Sequence, residues 1–476
     1  MTDPLALLPF AAAARGGRVE RFDAAQLVAA GLTLLRRSAP LVRALSGRRA
    51  GILLPASPAF LTALAAAEGR GAVLLNPVAA APEIAQQAGD AGVGAVFTVA
   101  ALAGRLPPGL SAVLLDDAPR RATVVAGGEA HPVDLGAHAG DPLAGDPDAQ
   151  PSDEEAAVVY TSAMAGVPLG AILTHRSILT NARATLEAAA ITAEDHVLAL
   201  LPFAHLFGLT VTCVAPLLAG ARVTPHARFA APRAVQALED DDITVLVGVP
   251  AIFAALVDAL ERRGAPLRAG ALRVCICGGA PLAPALQRRW RDLTGVDLRQ
   301  GYGLTEAGPV CLFNRVSRPN VEGALGVALP GVDVSIRAPG GEAVPAGTDG
   351  EICVAGDSVF AGYVSGGEAG LQRVGRWLRT GDLGVMDGAG VVAFRGVLKA
   401  MFTRNGFNIY PREIERVVAG MPGVRAARVR GEPDPVHEHE VVLDVDGDVA
   451  EDAVRRWCEA RLSAYKQPGA VYVRAG

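Results

Sequence analysis

Three short, unbroken apolar runs near the start of the chain constrain its fold most: Gly51-Ile-Leu-Leu54, Ala72-Val-Leu-Leu75 and Ala95-Val-Phe-Thr98. Helical stretches separate them, an Ala-rich one from Pro58 to Gly69 and another from Pro82 to Asp90. Continuous apolar runs suit strands buried on both faces, and strands alternating with helices require a parallel sheet covered on both sides. The alternation resumes between residues 157 and 300, where Ile243–Val247 and Leu272–Ile276 read as further buried strands. Residues 119–154, rich in Gly, Pro, Ala and Asp, read as an irregular surface connection. Beyond residue 320, Val332–Ile336, Gly350–Val354 and Val391–Phe394 are short runs parted by Gly-rich turns, the texture of an antiparallel meander or barrel. Past Lys399 a small α+β unit is expected, with helices at Pro411–Ala419 and Val449–Leu462 and strands at Ala427–Arg430 and Val441–Asp444.

A chain of 476 residues needs two or more domains. Its 51% apolar and 20% charged residues are those of a globular protein, and a net charge of −5 without basic blocks gives no nucleic-acid footprint. The six cysteines are scattered through apolar runs; Cys275 and Cys277 would share one strand face, but no second pair completes a metal site. The long apolar stretch Val197–Gly220 contains Pro202, His205, Gly208 and Pro216, so a buried helix–loop–helix is expected rather than a membrane span. The N-terminus lacks a basic leader, which leads to the expectation of a cytoplasmic protein.

At residues 157–176 the run Ala157-Val-Val-Tyr160 enters a loop with Thr161, Ser162, Gly166 and Gly170, and a helical pattern comes after Leu173-Thr-His-Arg176. Strand, small-residue loop and helix can offer backbone N–H groups to a phosphate, although an ordinary turn has the same pattern. The loop gains meaning from seven further segments in fixed order along the chain: Leu201-Pro-Phe-Ala-His-Leu-Phe-Gly208, Cys277-Gly-Gly-Ala-Pro-Leu282, Gly301-Tyr-Gly-Leu-Thr-Glu306, Gly350-Glu-Ile-Cys-Val-Ala-Gly356, Phe360-Ala-Gly-Tyr363, Trp377-Leu-Arg-Thr-Gly-Asp-Leu383 and Gly406-Phe-Asn-Ile-Tyr-Pro-Arg-Glu-Ile-Glu415.

This ordered series resembles the adenylate-forming superfamily of acyl- and aryl-CoA synthetases, peptide-synthetase adenylation domains and luciferases. The resemblance implies an α/β fold, with a large N-terminal portion (1–396) of two α/β sheets plus a β-barrel, and a small mobile α+β C-terminal domain (397–476). It implies ATP-dependent activation of a carboxylic acid to an acyl-adenylate, with Mg2+, and transfer to a thiol such as coenzyme A. By the same resemblance, Gly278, Gly279 and Ala280 line the adenine slot and Tyr302 stacks on the base. Asp382 receives the ribose, Glu306 holds magnesium, and Thr305, Thr161, Ser162 and Gly166 serve the phosphates. His205 lines the acyl pocket and helps place the carboxylate, Lys399 is the hinge, and Gly406 walls the pantetheine channel. A second copy of the chain or an active ligase is left open as partner.

The departures from the family pattern fall on phosphate chemistry. Where the family loop carries glycine, two threonines and a lysine, this chain has Ala163, Met164, Ala165 and Leu169. A family arginine is replaced by Val397, and Arg395 stands two residues before it. The only lysines are Lys399 and Lys466, and the latter matches an earlier, non-catalytic lysine of the family. The sequence stops at Gly476, short of the family's terminal lysine. Adenylation is therefore expected to be impaired, and a non-catalytic protein that binds AMP, acyl-adenylate or acyl ligand is the alternative.

Overall fold

The computed structural model describes residues 16–38, 49–67, 71–116, 120–135, 152–161, 168–268, 270–365, 371–398, 401–434 and 437–474. Two large sheets carry the N-terminal part, one of 14 strands and one of nine. The nine-stranded sheet has Arg49–Leu53 near its centre, parallel to both Ala72–Leu74 and Val93–Thr98, so the three opening apolar runs are neighbours as expected. Helix Pro58–Ala66 is buried along its whole length. It packs on helix Ala24–Ser38 so closely that a Cβ on Gly31 would lie 2.4 Å from the Thr62 carbonyl oxygen.

In the larger sheet, Arg222–Pro225, His196–Ala199, Val245–Gly248, Val274–Cys277 and Leu298–Gly303 run parallel in that spatial order. Two of the helices between them begin with proline in the first turn and end on left-handed glycines, Pro250–Arg263 at Gly264 and Pro284–Thr294 at Gly295. Trp290 of the latter helix is fully buried, edge-on to Phe253 of the former at 5.0 Å.

Three expectations need correction. The meander does not close into a barrel among the described residues. Leu298–Gly303 pairs parallel with Val274–Cys277 on one side and antiparallel with Val310–Phe313 on the other, so the antiparallel strands extend the large sheet as an open series ending at Val332–Arg337. Residues 119–154 are not uniformly irregular either: Arg121–Ala126 and Glu129–Asp134 form an edge hairpin. Its turn is Gly127-Gly128, both with positive φ (61° and 87°), a two-residue turn signal readable in the sequence. Residues 136–151 of that stretch lie outside the described residues. Finally, Val197–Gly220 starts as strand (His196–Ala199) before it becomes helical from Leu206 to Ala219. A π-helical turn, Thr210–Val214, interrupts that helix just before Pro216, whose ring nitrogen has no hydrogen for the Thr212 carbonyl. No described helix is long and apolar enough to cross a membrane.

The C-terminal unit has its own core, with Ile409, Ile414, Val441, Leu443, Val454 and Val471 among its buried residues. Its three-stranded sheet pairs Val424–Asp434 antiparallel and Ala470–Arg474 parallel with Glu438–Gly447.

At the foot of the large sheet, Asp195 is buried. It accepts hydrogen bonds from Arg273 Nε (2.8 Å), Thr244 Oγ1 (2.6 Å) and the Thr192 N–H (2.7 Å). Burial pushes its pKa up, but Arg273, Thr244 and Thr192 outweigh that and leave it below the usual carboxylate value. A depressed folded pKa adds stability that is complete above the unfolded pKa of about 3.9 and is lost as pH falls through the folded value. Asp195→Ala is expected to destabilise by about 3 kcal/mol at neutral pH. Urea unfolding from pH 7 to pH 2 should show the gap between wild type and variant closing only below about pH 4.

Candidate nucleotide and acyl site

Four neighbouring parallel strands deliver the site at their carboxyl ends, where ligands bind in open α/β sheets. His205 follows His196–Ala199, Val249 follows Val245–Gly248, Gly278–Gly279–Ala280 follow Val274–Cys277, and Tyr302 lies near the end of Leu298–Gly303. The backbone is close-set here. A Cβ on Gly278 would sit 3.1 Å from both the Gly301 carbonyl oxygen and the Phe207 ring.

Asp382 comes from the antiparallel part of the sheet, within Trp377–Met386. Its Oδ2 accepts the Tyr302 hydroxyl at 2.7 Å, bridging 80 residues of sequence. Burial, then the Asp382 charge, pushes the Tyr302 pKa well up, so the phenol stays a donor. The backbone before Asp382 is tied down by buried Glu351, which accepts the Gly381 N–H (2.8 Å) and Arg379 Nε (2.6 Å).

Glu306 sits in the short helical turn Thr305–Ala307, with the half-buried Thr305 beside it. Its Oε1 accepts the Tyr363 hydroxyl at 2.8 Å. Tyr363 is on the short strand that pairs with Leu169–Thr174, the exit of the small-residue loop, so it links that loop to Glu306. Sequence reasoning assigns Tyr363 no such role; its only signal there is membership of the Phe360-Ala-Gly-Tyr363 segment. Among the described residues no three His, Cys, Asp or Glu side chains gather for a metal. Glu306 alone, with one oxygen held by Tyr363, fits a magnesium ion bound through one carboxylate and substrate phosphates.

His205 caps helix Leu206–Leu209, and its Nδ1 accepts the Phe207 N–H at 3.3 Å. Its ring is open to solvent but walled by protein, which lowers its pKa. A neutral imidazole with Nδ1 accepting carries its proton on Nε2, ready to donate to a carboxylate.

Gly406 lies at the tip of a hairpin, Phe402–Arg404 against Phe407–Ile409, whose turn is Asn405-Gly406 with φ of 53° and 76°. This Asn-Gly pair is a direct hairpin signal in the sequence. The Gly406 N–H donates to Glu438 Oε2 at 3.2 Å, and a Cβ on Gly406 would lie 2.8 Å from Val249 Cγ2. The same Val249 lies 3.4 Å from a Cβ built on Gly279. The C-terminal hairpin thus touches the wall next to the glycine slot. Gly406→Val is expected to strain the turn and displace the hairpin from Val249. Hydrogen exchange at residues 402–409 should rise while exchange at Val245–Gly248 does not.

Thr161 ends strand Glu155–Thr161, its hydroxyl donating to the Leu169 carbonyl at 3.4 Å. Ser162, Gly166 and Lys399 lie outside the described residues. Val397 faces Asp382 in the strand register and is 39% exposed, while Arg395 turns away to Asp349 at 3.2 Å. All six cysteines are free and buried. Burial raises the Cys353 and Cys458 pKa values to about 11 and those of Cys213 and Cys311 to about 12, with Cys275 and Cys277 also pushed up.

The chain belongs to the AMP-binding enzyme family, which matches residues 37–364. A feruloyl-CoA synthase from Amycolatopsis sp. is 34% identical over 445 residues, 89% of this chain and 84% of that protein. A long-chain-fatty-acid–CoA ligase from Escherichia coli O6:H1 is 32% identical over 66% of this chain and 57% of its own length. A malonyl-CoA ligase solved with methylmalonyl-CoA and AMP superposes with a TM-score of 0.79 at 28% identity, covering 100% of this chain and 99% of that one. The o-succinylbenzoate CoA synthetase of Bacillus subtilis shares the fold, with a TM-score of 0.79 at 24% identity over 99% of this chain and 95% of its own. The relatives are acyl- and aryl-CoA ligases.

Proposed function

We propose that this protein joins a carboxylic acid to coenzyme A through an acyl-adenylate, with the domains meeting at 396/397. The observation that carries this reading is the Tyr302–Asp382 bridge beside Gly278–Ala280. It pairs a ring face for the base with a fixed carboxylate for the ribose diol. In the first step a carboxylate oxygen attacks the α-phosphorus of ATP and pyrophosphate leaves. Neutral His205 donates from Nε2 and orients the acid. Glu306 would hold a magnesium ion, whose charge would offset that of the phosphates. In the second step the thiol enters along the wall formed by Val249 and Gly406 and loses its proton to solvent; its sulfur attacks the acyl carbonyl, the bond from the acyl carbon to the phosphate oxygen breaks, and AMP leaves.

A second reading is favoured by one group of residues. Leu169 and Val397 offer no charge to the triphosphate, and Arg395 is engaged elsewhere. On this reading adenylation is slow, and the protein chiefly transfers a preformed acyl-adenylate or binds it. Two assays separate the readings. Pyrophosphate exchange over phenylpropenoic, benzoic and fatty acids reports the first step; synthetic acyl-AMP with coenzyme A reports the second. Activity in neither would overturn the ligase proposal and leave a binding protein, which AMP titration would then identify.

A further inference from the structure

Lys466 is one of two lysines in an arginine-rich chain, and its side chain is only 6% exposed. Its Nζ lies 2.7 Å from Glu83 Oε1 and 2.5 Å from Glu413 Oε1. The two carboxylates come from different parts of the molecule. Glu83 is in helix Ala81–Asp90, against the nine-stranded sheet, and its Oε2 also accepts the Ala80 N–H (2.8 Å) and the Ser463 hydroxyl. Glu413 is in the first turn of Pro411–Ala419, which begins immediately after the Gly406 hairpin and Tyr410.

The hairpin is bound to the same segment from its other side. Phe407 stacks on Tyr465 at 4.3 Å and 18°, and Arg404 Nη1 donates to the Gln467 carbonyl at 2.8 Å. The chain from Ser463 to Gln467 therefore holds the hairpin with one set of contacts and the N-terminal body with another. An ammonium is a compact charge with three donors that can serve two carboxylates at once; the planar fork of arginine suits one bidentate partner.

We propose that Lys466 is a positioning residue for transfer to the thiol, clamping Glu413 to Glu83 so that the Asn405–Gly406 hairpin is seated on Val249. This rests on the ligase reading for its chemistry, but the clamp itself can be read without activity. It gives Lys466 a role distinct from phosphate chemistry, because its ammonium is sequestered between carboxylates.

The test uses the full chain with Lys466→Met and, separately, Glu83→Gln, which leaves every contact within the C-terminal unit in place. Hydrogen exchange is expected to rise at residues 402–409 and 81–90 in both variants. In Glu83→Gln the strands Val424–Asp434 and Glu438–Gly447 should keep wild-type protection. Thioester formation from synthetic acyl-AMP and coenzyme A should fall by about 10²-fold, the scale of a displaced reacting group, with AMP affinity unchanged. Wild-type exchange at the hairpin in both variants would overturn the clamp. So would a parallel loss of AMP affinity and transfer, which would mark general destabilisation. If the wild type neither makes thioester nor exchanges pyrophosphate, the ligase reading falls, and hydrogen exchange alone decides the clamp.

Discussion

Asp382→Ala is expected to weaken AMP binding by about 10²–10⁴-fold in calorimetry on the full chain. On the proposed reading the carboxylate would accept from two ribose hydroxyls, and each hydrogen bond to a charged group contributes about 1.5–3 kcal/mol. At about 1.4 kcal/mol per decade, two such bonds account for that range. The substitution also frees the Tyr302 hydroxyl, which donates to Asp382 at 2.7 Å, in a part-buried position. Tyr302→Phe removes the bridge but keeps the ring and the acceptor, so its loss should be only about tenfold or less. If Tyr302→Phe proves as damaging as Asp382→Ala, the carboxylate does not receive the ribose, and the pair is a structural strut.

Leu169→Lys is expected to raise acid-dependent pyrophosphate exchange by about tenfold or more. A single preorganised charge or donor on a transferring group typically contributes about 10²–10³ in rate. Ala163, Met164 and Ala165 remain without hydroxyls, and the effects of residues that act together are not additive, so only part of that gain is expected. Leu169 is the first residue of the strand after the loop and is half-buried, with its carbonyl accepting from Thr161. A longer side chain can therefore leave the strand without breaking its ladder. Affinity for AMP, which lacks the β- and γ-phosphates, should not change. Unaltered exchange together with unaltered AMP binding would mean that the loop does not limit the first step.

The parallel strands are legible in the sequence because burial on both faces leaves an unmistakable apolar run, as in Val245–Gly248. The edge hairpin 121–134 is legible only in its Gly127-Gly128 turn: its second strand lies at the sheet margin, contains Pro132, His131 and two acidic residues, and lacks an apolar signature. The open course of the antiparallel strands is hidden for another reason. A strand such as Leu298–Gly303 is the same sequence whether its second neighbour closes a barrel or extends a sheet. The site residues Gly278, Tyr302, Glu306 and Asp382 can be found only through the order of the motifs. Nothing local in Arg-Thr-Gly-Asp382 announces a partner 80 residues away. Lys466 reads from sequence as a non-catalytic lysine and nothing more, because the carboxylates that give it meaning are 383 and 53 residues distant.

The burial of every cysteine bears on the selectivity of any acyl transfer. An acyl-adenylate is a mixed anhydride that acylates whatever thiolate meets it, and the thiolate rather than the thiol is the nucleophile. Cys277 adjoins the glycine slot and Cys311 lies in the strand beside Tyr302, yet both are fully buried and both are held as neutral thiols by that burial. On the proposed reading the protein offers an acyl-adenylate no exposed cysteine thiol. Incubation with synthetic acyl-AMP should leave the intact mass unchanged, whereas an exposed cysteine placed at Ala280 should make the protein acylate itself.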